Sequence, residues 1–375
     1  MNVLAYIHMR NIHRSTGAGR VARELIENVA RRRGVNMHIL ADRSDHARVA
    51  HKAGGAWNTF PYHFFPGTTS LQQARWILCD GPAAESYWPH AEIVHCTMES
   101  YVPTAGSRLV VTVHDAAYFD QVHRRTFSAA KQQMKWRILY GTLARSADVF
   151  HTVSQFSADR LAHAFPAIRS RLRVIYNAVS SLFFAPFRLS AEPPDSVAAR
   201  LRGRRFILVP GGLHHRKNAD MILRAWPLVQ SRIPDLTLVI AGHNDPGYVP
   251  AARSLGRSVK LTGYVEDEQL RALYHGAQAV WFPTHYEGFG IPVLEAMACG
   301  TPVIAADTTA LPEVSGDAAI LVGPHSVDQN VQAIEAVLND ARLRAEMRER
   351  GKRRAAPFTW AASAAQLHAV YSGLV

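Results

Sequence analysis

Cysteine is scarce in this chain. There are three, Cys79, Cys96 and Cys299, an odd number at wide spacing. That argues for a reducing compartment and leaves no disulfide framework to build on. No Cys-x-x-Cys pair occurs, so a zinc ribbon has no ligands. Long apolar runs are also missing: nothing approaches the roughly 18 uninterrupted apolar residues that suggest a membrane span. The opening run Met1–His8 is short and has no basic segment before it, so it reads as a first β-strand rather than a signal peptide. No Asp-x-Asp pair stands at a strand end. The acidic run Val265–Glu268 has instead the form of a helix start, where carboxylates meet the positive end of the dipole. We therefore expect no catalytic metal and no cofactor. Repeats, low-complexity tracts and aromatic-basic clusters of the single-strand-binding kind are absent too, so nucleic acid is not an expected partner.

What remains is a chain of 375 residues, 48% of them hydrophobic. That is too long for one ordinary core and suits two domains of about 150–200 residues each. The formal charge is +12. It is consistent with simple solubility of Arg-rich helices, or with an anionic partner: a nucleotide diphosphate, a lipid phosphate or a membrane surface.

Short β-branched runs alternate with helical segments. In the first half, strands are expected at Asn2–His8, Met37–Ala41, Ile93–Cys96, Leu109–His114, Val149–Val153 and Arg173–Tyr176. Helices are expected at Gly19–Arg33, Ser128–Ala144 and Ser157–Ala164. A second set follows, with strands at Phe206–Pro210, Leu236–Ala241, Ser258–Leu261, Ala279–Phe282 and Val303–Ala306. Its helices are Ala219–Ser231, Glu266–His275, Ile291–Cys299, Val327–Asn339, Asp340–Lys352 and Trp360–Gly373. Such alternation predicts α/β domains with parallel sheets covered on both faces. Between the sets, Pro186, Pro193 and Pro194 mark an interdomain linker. The expected division is 1–180, a linker over 181–203, and 204–357, with the C-terminal helix 358–375 as a candidate to pack back on the first domain. Parallel sheets bind ligands at the carboxyl ends of their strands, and two such domains make a cleft.

The strongest chemical signal is the segment from His285 to Ile304, which follows the strand Ala279–Phe282. Gly288 and Gly290 allow a ligand close to the backbone. Pro292 suits the first turn of a helix whose free N–H groups would face an anion or sugar oxygens. Glu287 and Glu295 each offer a carboxylate that accepts two hydroxyl hydrogen bonds, which matches a sugar or ribose diol. Either glutamate alone could be a helix-end or surface residue; the whole segment is more specific. Upstream, Gly211–Asn218 follows one strand and precedes a helix, and Arg216 and Lys217 there could neutralise a diphosphate without a metal. His114 ends a strand, where it could be structural or catalytic, and Asp115 beside it orients the turn. Gly17 and Gly19 open the first helix.

The His285–Ile304 segment resembles the Glu-x7-Glu signature of family-4 retaining glycosyltransferases. Other pieces agree, in the family's order: Ser15–Val21 resembles its Gly-rich loop, Thr112–Ala117 its His-Asp segment, and His151–Ser157 its Thr-Val-Ser strand. Val174–Val179 and Pro210–Asn218 resemble its linker entry and its donor-diphosphate loop. The resemblance implies a GT-B fold, two Rossmann-like domains facing each other across a cleft. It implies His114, Glu287 and Lys217 as catalytic residues: His114 bonding to the donor sugar, Glu287 holding that sugar, Lys217 gripping the diphosphate. Gly17, Gly19, Arg216, Gly288, Phe289, Gly290, Ile291 and Glu295 would bind substrate, Glu295 at the ribose. The variants present resemble the bacterial mannosyltransferase branch, which implies GDP-mannose as donor. The acceptor would be a saccharide or polyprenyl-linked saccharide, and the setting cytoplasmic.

Four rivals stand beside this reading. A dehydrogenase fingerprint fails because position 22 is alanine, not the third glycine. An epimerase of this fold would lack the Glu-x7-Glu loop. A non-catalytic nucleotide-sugar-binding protein, or a transferase using a UDP-sugar, needs an assay to separate. Finally, Arg124, Arg125, Lys131, Lys135, Arg137 and Arg145 interleave with Phe127, Met134, Trp136, Ile138, Leu139 and Tyr140 around one helix. That pattern fits either a core helix with a basic face or peripheral contact with an anionic membrane.

Overall fold

The protein is seen in a computed structural model that describes residues 1–9, 17–47, 55–119, 127–187 and 196–375. Ser15, Thr16, Arg124, Arg125, Pro193 and Pro194 lie outside the described residues, as do the side chains of Phe127 and Lys131. The chain divides into two compact units, Met1–Asn177 with Trp360–Val375, and Ala178–Thr359.

The first unit runs β1 (Asn2–Tyr6), α1 (Gly17–Ala30), β2 (Asn36–Asp42), β3 (Tyr62–Phe65), α2 (Thr69–Cys79), β4 (Ile93–Cys96), β5 (Arg108–Val113), α3 (Phe127–Ser146), β6 (Val149–Thr152), α4 (Gln155–Ala164) and β7 (Leu172–Val174). All seven strands are parallel, in the order β3-β2-β1-β4-β5-β6-β7. Continuous apolar strands are what a sheet covered on both faces requires, and Val3 to Tyr6 are fully buried. In α1, Val21, Leu25, Ile26 and Val29 form one apolar stripe at helical spacing. β3 and α2 are absent from the sequence expectation. The strand is a four-residue aromatic run without alternation, and α2 starts on Thr68, whose side chain accepts from the Leu71 N–H at 3.4 Å.

The second unit runs α5 (Ser181–Phe184), α6 (Val197–Arg200), β8 (Phe206–Pro210), α7 (Ala219–Arg232), β9 (Thr237–Ala241), α8 (Val249–Ser254), β10 (Val259–Gly263), α9 (Asp267–Gly276), β11 (Ala279–Phe282), α10 (Ile291–Ala298), β12 (Val303–Ala306), α11 (Leu311–Ser315), β13 (Ala319–Val322), α12 (Val327–Asn339) and α13 (Ala341–Ala355). Its sheet is also parallel, ordered β10-β9-β8-β11-β12-β13. Two buried indoles hold the core and are satisfied: Trp226 donates to Ser258 Oγ at 3.1 Å and Trp281 to Asn330 Oδ1 at 2.8 Å. In both sheets the strand order reverses once, between β1 and β4 and between β8 and β11. Such switch points leave a crevice at the strands' carboxyl ends.

The last helix, α14 (Trp360–Ser372), belongs to the first unit. Ser363 Oγ donates to the Tyr176 carbonyl at 2.7 Å and Arg32 to the Ala361 carbonyl at 2.8 Å. A buried polar chain completes the attachment, and its proton order follows from its far end. The Ile175 carbonyl can only accept, so His151 Nε2 donates to it at 3.0 Å and the neutral ring's Nδ1 must accept, from Thr112 Oγ1 at 3.0 Å. That hydroxyl in turn accepts from His95 Nε2 at 2.8 Å, which leaves His95 Nδ1 to accept from the Tyr371 hydroxyl. Burial holds both imidazoles neutral. It lowers His151 to about 4 and, with the neighbouring imidazoles of His151 and His114, sets His95 well below its ordinary value.

Two measurements check this chain. Thr112→Val leaves both imidazoles short of a partner and should cost about 2–4 kcal/mol in urea unfolding. Because both histidines are neutral when folded and titrate near 6.5 when unfolded, the unfolded state takes up the protons. Stability should therefore fall as pH drops from 6.5 to 5, above the carboxylate range, by about 1.4 kcal/mol per pH unit for each histidine. A flat profile there would contradict the assignment.

Candidate active site

Lys217 and Glu287 come together at the switch point of the second sheet. β8 ends at Pro210, and the next two residues turn back sharply: Gly211 has φ 99° and Gly212 φ 81°. A Cβ on Gly212 would lie 1.8 Å from the His243 carbonyl oxygen, so this loop and the one after β9 touch backbone to backbone, where only glycine fits. The crossing is pinned by the Leu213 N–H donating to Asn244 Oδ1 at 2.9 Å and the Asp245 N–H donating to the Leu213 carbonyl at 2.7 Å. A Cβ on Gly211 would meet Lys217 Cε at 2.8 Å, so the lysine stem lies directly over that glycine.

Asn218 then caps α7. It sits in the left-handed region at φ 59°, its Oδ1 accepts from the Met221 N–H, and its Nδ2 donates to the Pro283 and Pro324 carbonyls at 2.9 and 2.7 Å. One side chain thus ties together the loops after β8, β11 and β13. The Pro283–Gly290 loop is fixed further by His285 N–H donating to the Arg216 carbonyl at 2.9 Å and Glu287 N–H to Thr309 Oγ1 at 3.1 Å. Gly290 opens α10 at φ 101°, and a Cβ there would fall 2.5 Å from Leu311 Cδ2.

At the centre, Lys217 Nζ donates to Glu287 Oε1 at 2.6 Å and lies 4.4 Å from the centroid of the Phe282 ring. The two residues are 8% and 6% exposed. Burial opposes both charges. The Lys217 ammonium and the Arg216 guanidinium outweigh it at Glu287 and hold its carboxyl below the usual range. Lys217 is lowered by burial, against the pull of Glu287. An ammonium has three N–H donors and a carboxylate two oxygens, so each group keeps hydrogen-bonding capacity for a ligand. His214 is lowered to about 4 by burial, then by Lys217 and Arg216. His285 is lowered by burial and by the imidazoles of His215 and His325, whose tilted rings flank it with centroids at 5.3 Å. The lowered His214 and His285 add little positive charge near pH 7, and Arg216 and Lys217 are the fixed cations beside them.

Glu295 is not part of this contact. It is 2% exposed on α10, and its Oε2 accepts from the Tyr274 hydroxyl at 3.1 Å. Phe289 packs its ring on Phe358 at 6.1 Å, which leaves only its backbone to meet a ligand. Gly288 and Ile291 flank the start of α10, and Arg216 is exposed beside Lys217. Sequence reasoning missed Asn218, Phe282, Tyr274 and Thr309. Only Asn218 carried a signal, as a capping residue ahead of a helical pattern.

In the first unit His114 follows β5. Its N–H donates to Glu99 Oε1 at 2.6 Å, and its Nε2 donates to the Thr97 carbonyl at 3.0 Å, which fixes the tautomer and makes Nδ1 the ring's acceptor. Asp115 Oδ1 accepts from the Ala117 N–H, an orienting turn. Glu99, also missed from sequence, has its carboxyl raised by burial, with His114 opposing and Asp115 adding to the shift. Gly17 and Gly19 lie in the first turn of α1; a Cβ on Gly17 would meet nothing within 4 Å among the described residues. Among the described residues no cluster of three or more His, Cys, Asp or Glu could hold a metal ion.

Removing one member of a buried pair strands the other charge. Glu287→Ala should cost about 3–5 kcal/mol in thermal or urea unfolding, and the double change Lys217→Met with Glu287→Gln should recover most of it. A Glu287→Ala protein as stable as the wild type would show that the pair is not sealed from water.

Residues 15–181 match the family described as Glycosyltransferase Family 4, and residues 196–354 the family described as Glycosyl transferases group 1. The O-antigen chain mannosyltransferase B of Escherichia coli is 32% identical over 270 residues, 69% of this chain and 69% of that protein. Among solved structures, WaaG, a glycosyltransferase involved in lipopolysaccharide biosynthesis, superposes with a TM-score of 0.72 at 16% identity over 100% of both chains. Anabaena Alr3699/HepE, solved in complex with UDP-glucose, gives 0.74 at 17% identity, again over 100% of both. The chain belongs to the family-4, group 1 glycosyltransferases and carries the GT-B fold, with two Rossmann-like units.

Proposed function

We propose that the protein is a retaining, metal-independent hexosyltransferase that moves mannose from GDP-mannose to a saccharide or lipid-linked saccharide. The observation that carries this reading is the Lys217–Glu287 pair at the carboxyl ends of β8 and β11, beside Arg216 and the first turn of α10. A cation and a carboxylate held side by side match the two ends of a sugar diphosphate. As the C1–O bond to the diphosphate breaks, the sugar gains oxocarbenium character and the departing oxygens gain charge. Lys217, Arg216 and the N–H groups at Gly290–Ile291 would stabilise that charge, and Glu287 Oε2 would hold a sugar hydroxyl. The acceptor oxygen bonds to C1 on the same face and its proton passes to the leaving phosphate oxygen. Glu295 would serve the ribose, and His114 would offer Nδ1 to the transferred sugar.

The E. coli relative favours mannose, and the UDP-glucose complex of the Anabaena protein keeps a UDP-sugar as the rival donor. Transfer assayed with EDTA present should be at least tenfold faster from GDP-mannose than from UDP-glucose. Lys217→Ala should slow it about 10²–10³-fold. Preference for UDP-glucose would overturn the donor. Loss of all activity in EDTA, restored by manganese, would overturn the charge assignment. Nucleotide-sugar binding without any transfer would leave a non-catalytic binding protein.

Peripheral membrane contact is a second proposal, favoured by apolar side chains standing in solvent. Leu71 and Leu78 on α2 and Met134 and Ile138 on α3 are exposed, and Lys135 and Arg137 are exposed among them. Leu139 and Tyr140 are core residues, so the apolar-basic face is narrower than the sequence pattern suggests. No helix among the described residues is long and apolar enough to cross a membrane. The protein should float with anionic liposomes at low salt and be released at high salt. Failure to float at low salt would contradict the proposal.

A further inference from the structure

Three histidines meet at the carboxyl ends of the second sheet. His215 follows β8, His285 follows β11 and His325 follows β13. The His285 ring lies between the other two, with centroids 5.3 Å from each and planes tilted by 44° and 32°. The loops that carry these rings are tied to one another. Asn218 Nδ2 donates to the carbonyls of Pro283 and Pro324, just ahead of His285 and His325, and the His285 N–H donates to the Arg216 carbonyl. His215 and His325 are exposed and His285 is half-buried, so solvent and ligands reach the group. Among the described residues no set of three or more His, Cys, Asp or Glu could hold a metal ion, so what these rings offer is proton and hydrogen-bond chemistry.

The charges around them are mostly positive. The chain runs His214, His215, Arg216, Lys217 without a break. Two carboxylates stand against these. Glu287 is engaged by Lys217, and Asp220, in the first turn of α7, accepts from the Tyr248 hydroxyl at 3.3 Å and pulls His285 upward. Burial and the two flanking imidazoles outweigh Asp220 and hold His285 below its ordinary value. Burial, Lys217 and Arg216 take His214 to about 4. In the free protein, each proton gained by the group works against neighbouring cations. An anion set among them reverses that balance. It stabilises imidazolium, so its binding takes up protons, and it binds more tightly as pH falls.

We propose that His215, His285 and His325 form a proton-dependent extension of the diphosphate site, which takes up a proton when an anionic sugar nucleotide binds. The identity of that ligand rests on the glycosyltransferase reading. The consequence is a donor affinity that changes with pH in the range where imidazoles titrate.

The test is calorimetry of GDP-mannose and UDP-glucose at pH 8, 7 and 6. Both phosphates of a sugar nucleotide are esterified, so the ligand lacks the proton that a terminal phosphate releases near pH 6. The donor should bind about three- to tenfold more tightly at pH 6 than at pH 8, the gain expected if binding raises an imidazole pKa by about half to one unit. Proton uptake should appear at pH 6.5 as a binding enthalpy that varies with the ionisation heat of the buffer. The double variant His215→Gln with His325→Gln replaces two exposed rings, so the fold should survive. It should bring the affinities at pH 6 and pH 8 to within about twofold of each other. Guanosine, which has no phosphate, should bind equally at both. Sugar-nucleotide affinity that is the same at pH 6 and pH 8 in the wild type, or a gain at pH 6 that the double variant keeps, would overturn the proposal. Transfer at pH 8 in the same samples tests the glycosyltransferase reading separately. A pH gain in binding with no transfer would remove the activity and keep the histidine site. Transfer with a flat binding profile would remove the histidine site and keep the activity.

Discussion

A lysine and a glutamate removed from water and set 2.6 Å apart are the constraint around which the second unit's strand-end loops are organised. Neither charge could be buried alone, since desolvation of an unpaired ion costs several kcal/mol. Each therefore requires the other, and the pair requires its loops to be placed within tenths of an ångström. Gly211 leaves room for the lysine stem, Gly212 and Gly242 let two loops touch, and Asn218 binds three loops at once. These residues have no chemistry of their own to offer a sugar nucleotide. They make the Lys217–Glu287 contact rigid before any ligand arrives, which is how fixed charges favour a transition state over a ground state.

The two sheets share a plan and use it for different chemistry. Each is parallel and each reverses once. At the second sheet's reversal the loops present cations, a carboxylate and a helix start, the groups that suit a diphosphate and a sugar. At the first sheet's reversal they present carboxylates, a histidine and a hydroxyl. The strand order places the sites and the loop residues give them their chemistry. That difference explains why fold likeness at 16–17% identity fixes the architecture while donor and acceptor depend on a few side chains.

Much of the fold was legible because buried parallel strands leave dense apolar runs, such as Phe206–Pro210 and Ala279–Phe282, between helices of clear period. β3 and β13, the edge strands of their sheets with one buried residue each, escaped notice. Lys217 and Glu287 were legible as a loop cation and a carboxylate ahead of a helix. Their pairing was not, because 70 residues separate them and only the sheet's strand order brings them together. Tyr274 on Glu295 and Glu99 on His114 were hidden for the same reason. The α3 pattern left a core helix and an interfacial helix both open. Leu139 and Tyr140 pack into the core, while Met134 and Ile138 stand exposed, a division that helical spacing alone does not give.

The central claim is that Lys217, held by Glu287, recognises a diphosphate, and a calorimetric comparison of guanosine, GMP and GDP tests it most directly. The account predicts that each added phosphate tightens binding to the wild type, with the largest gain at the second. Lys217→Met paired with Glu287→Gln, which removes both charges without stranding either, should remove most of that gain, with Arg216 and the α10 N–H groups holding the rest, and leave guanosine binding unchanged. Equal affinity for guanosine and GDP in the wild type, or a diphosphate gain that is undiminished in the double variant, would contradict it.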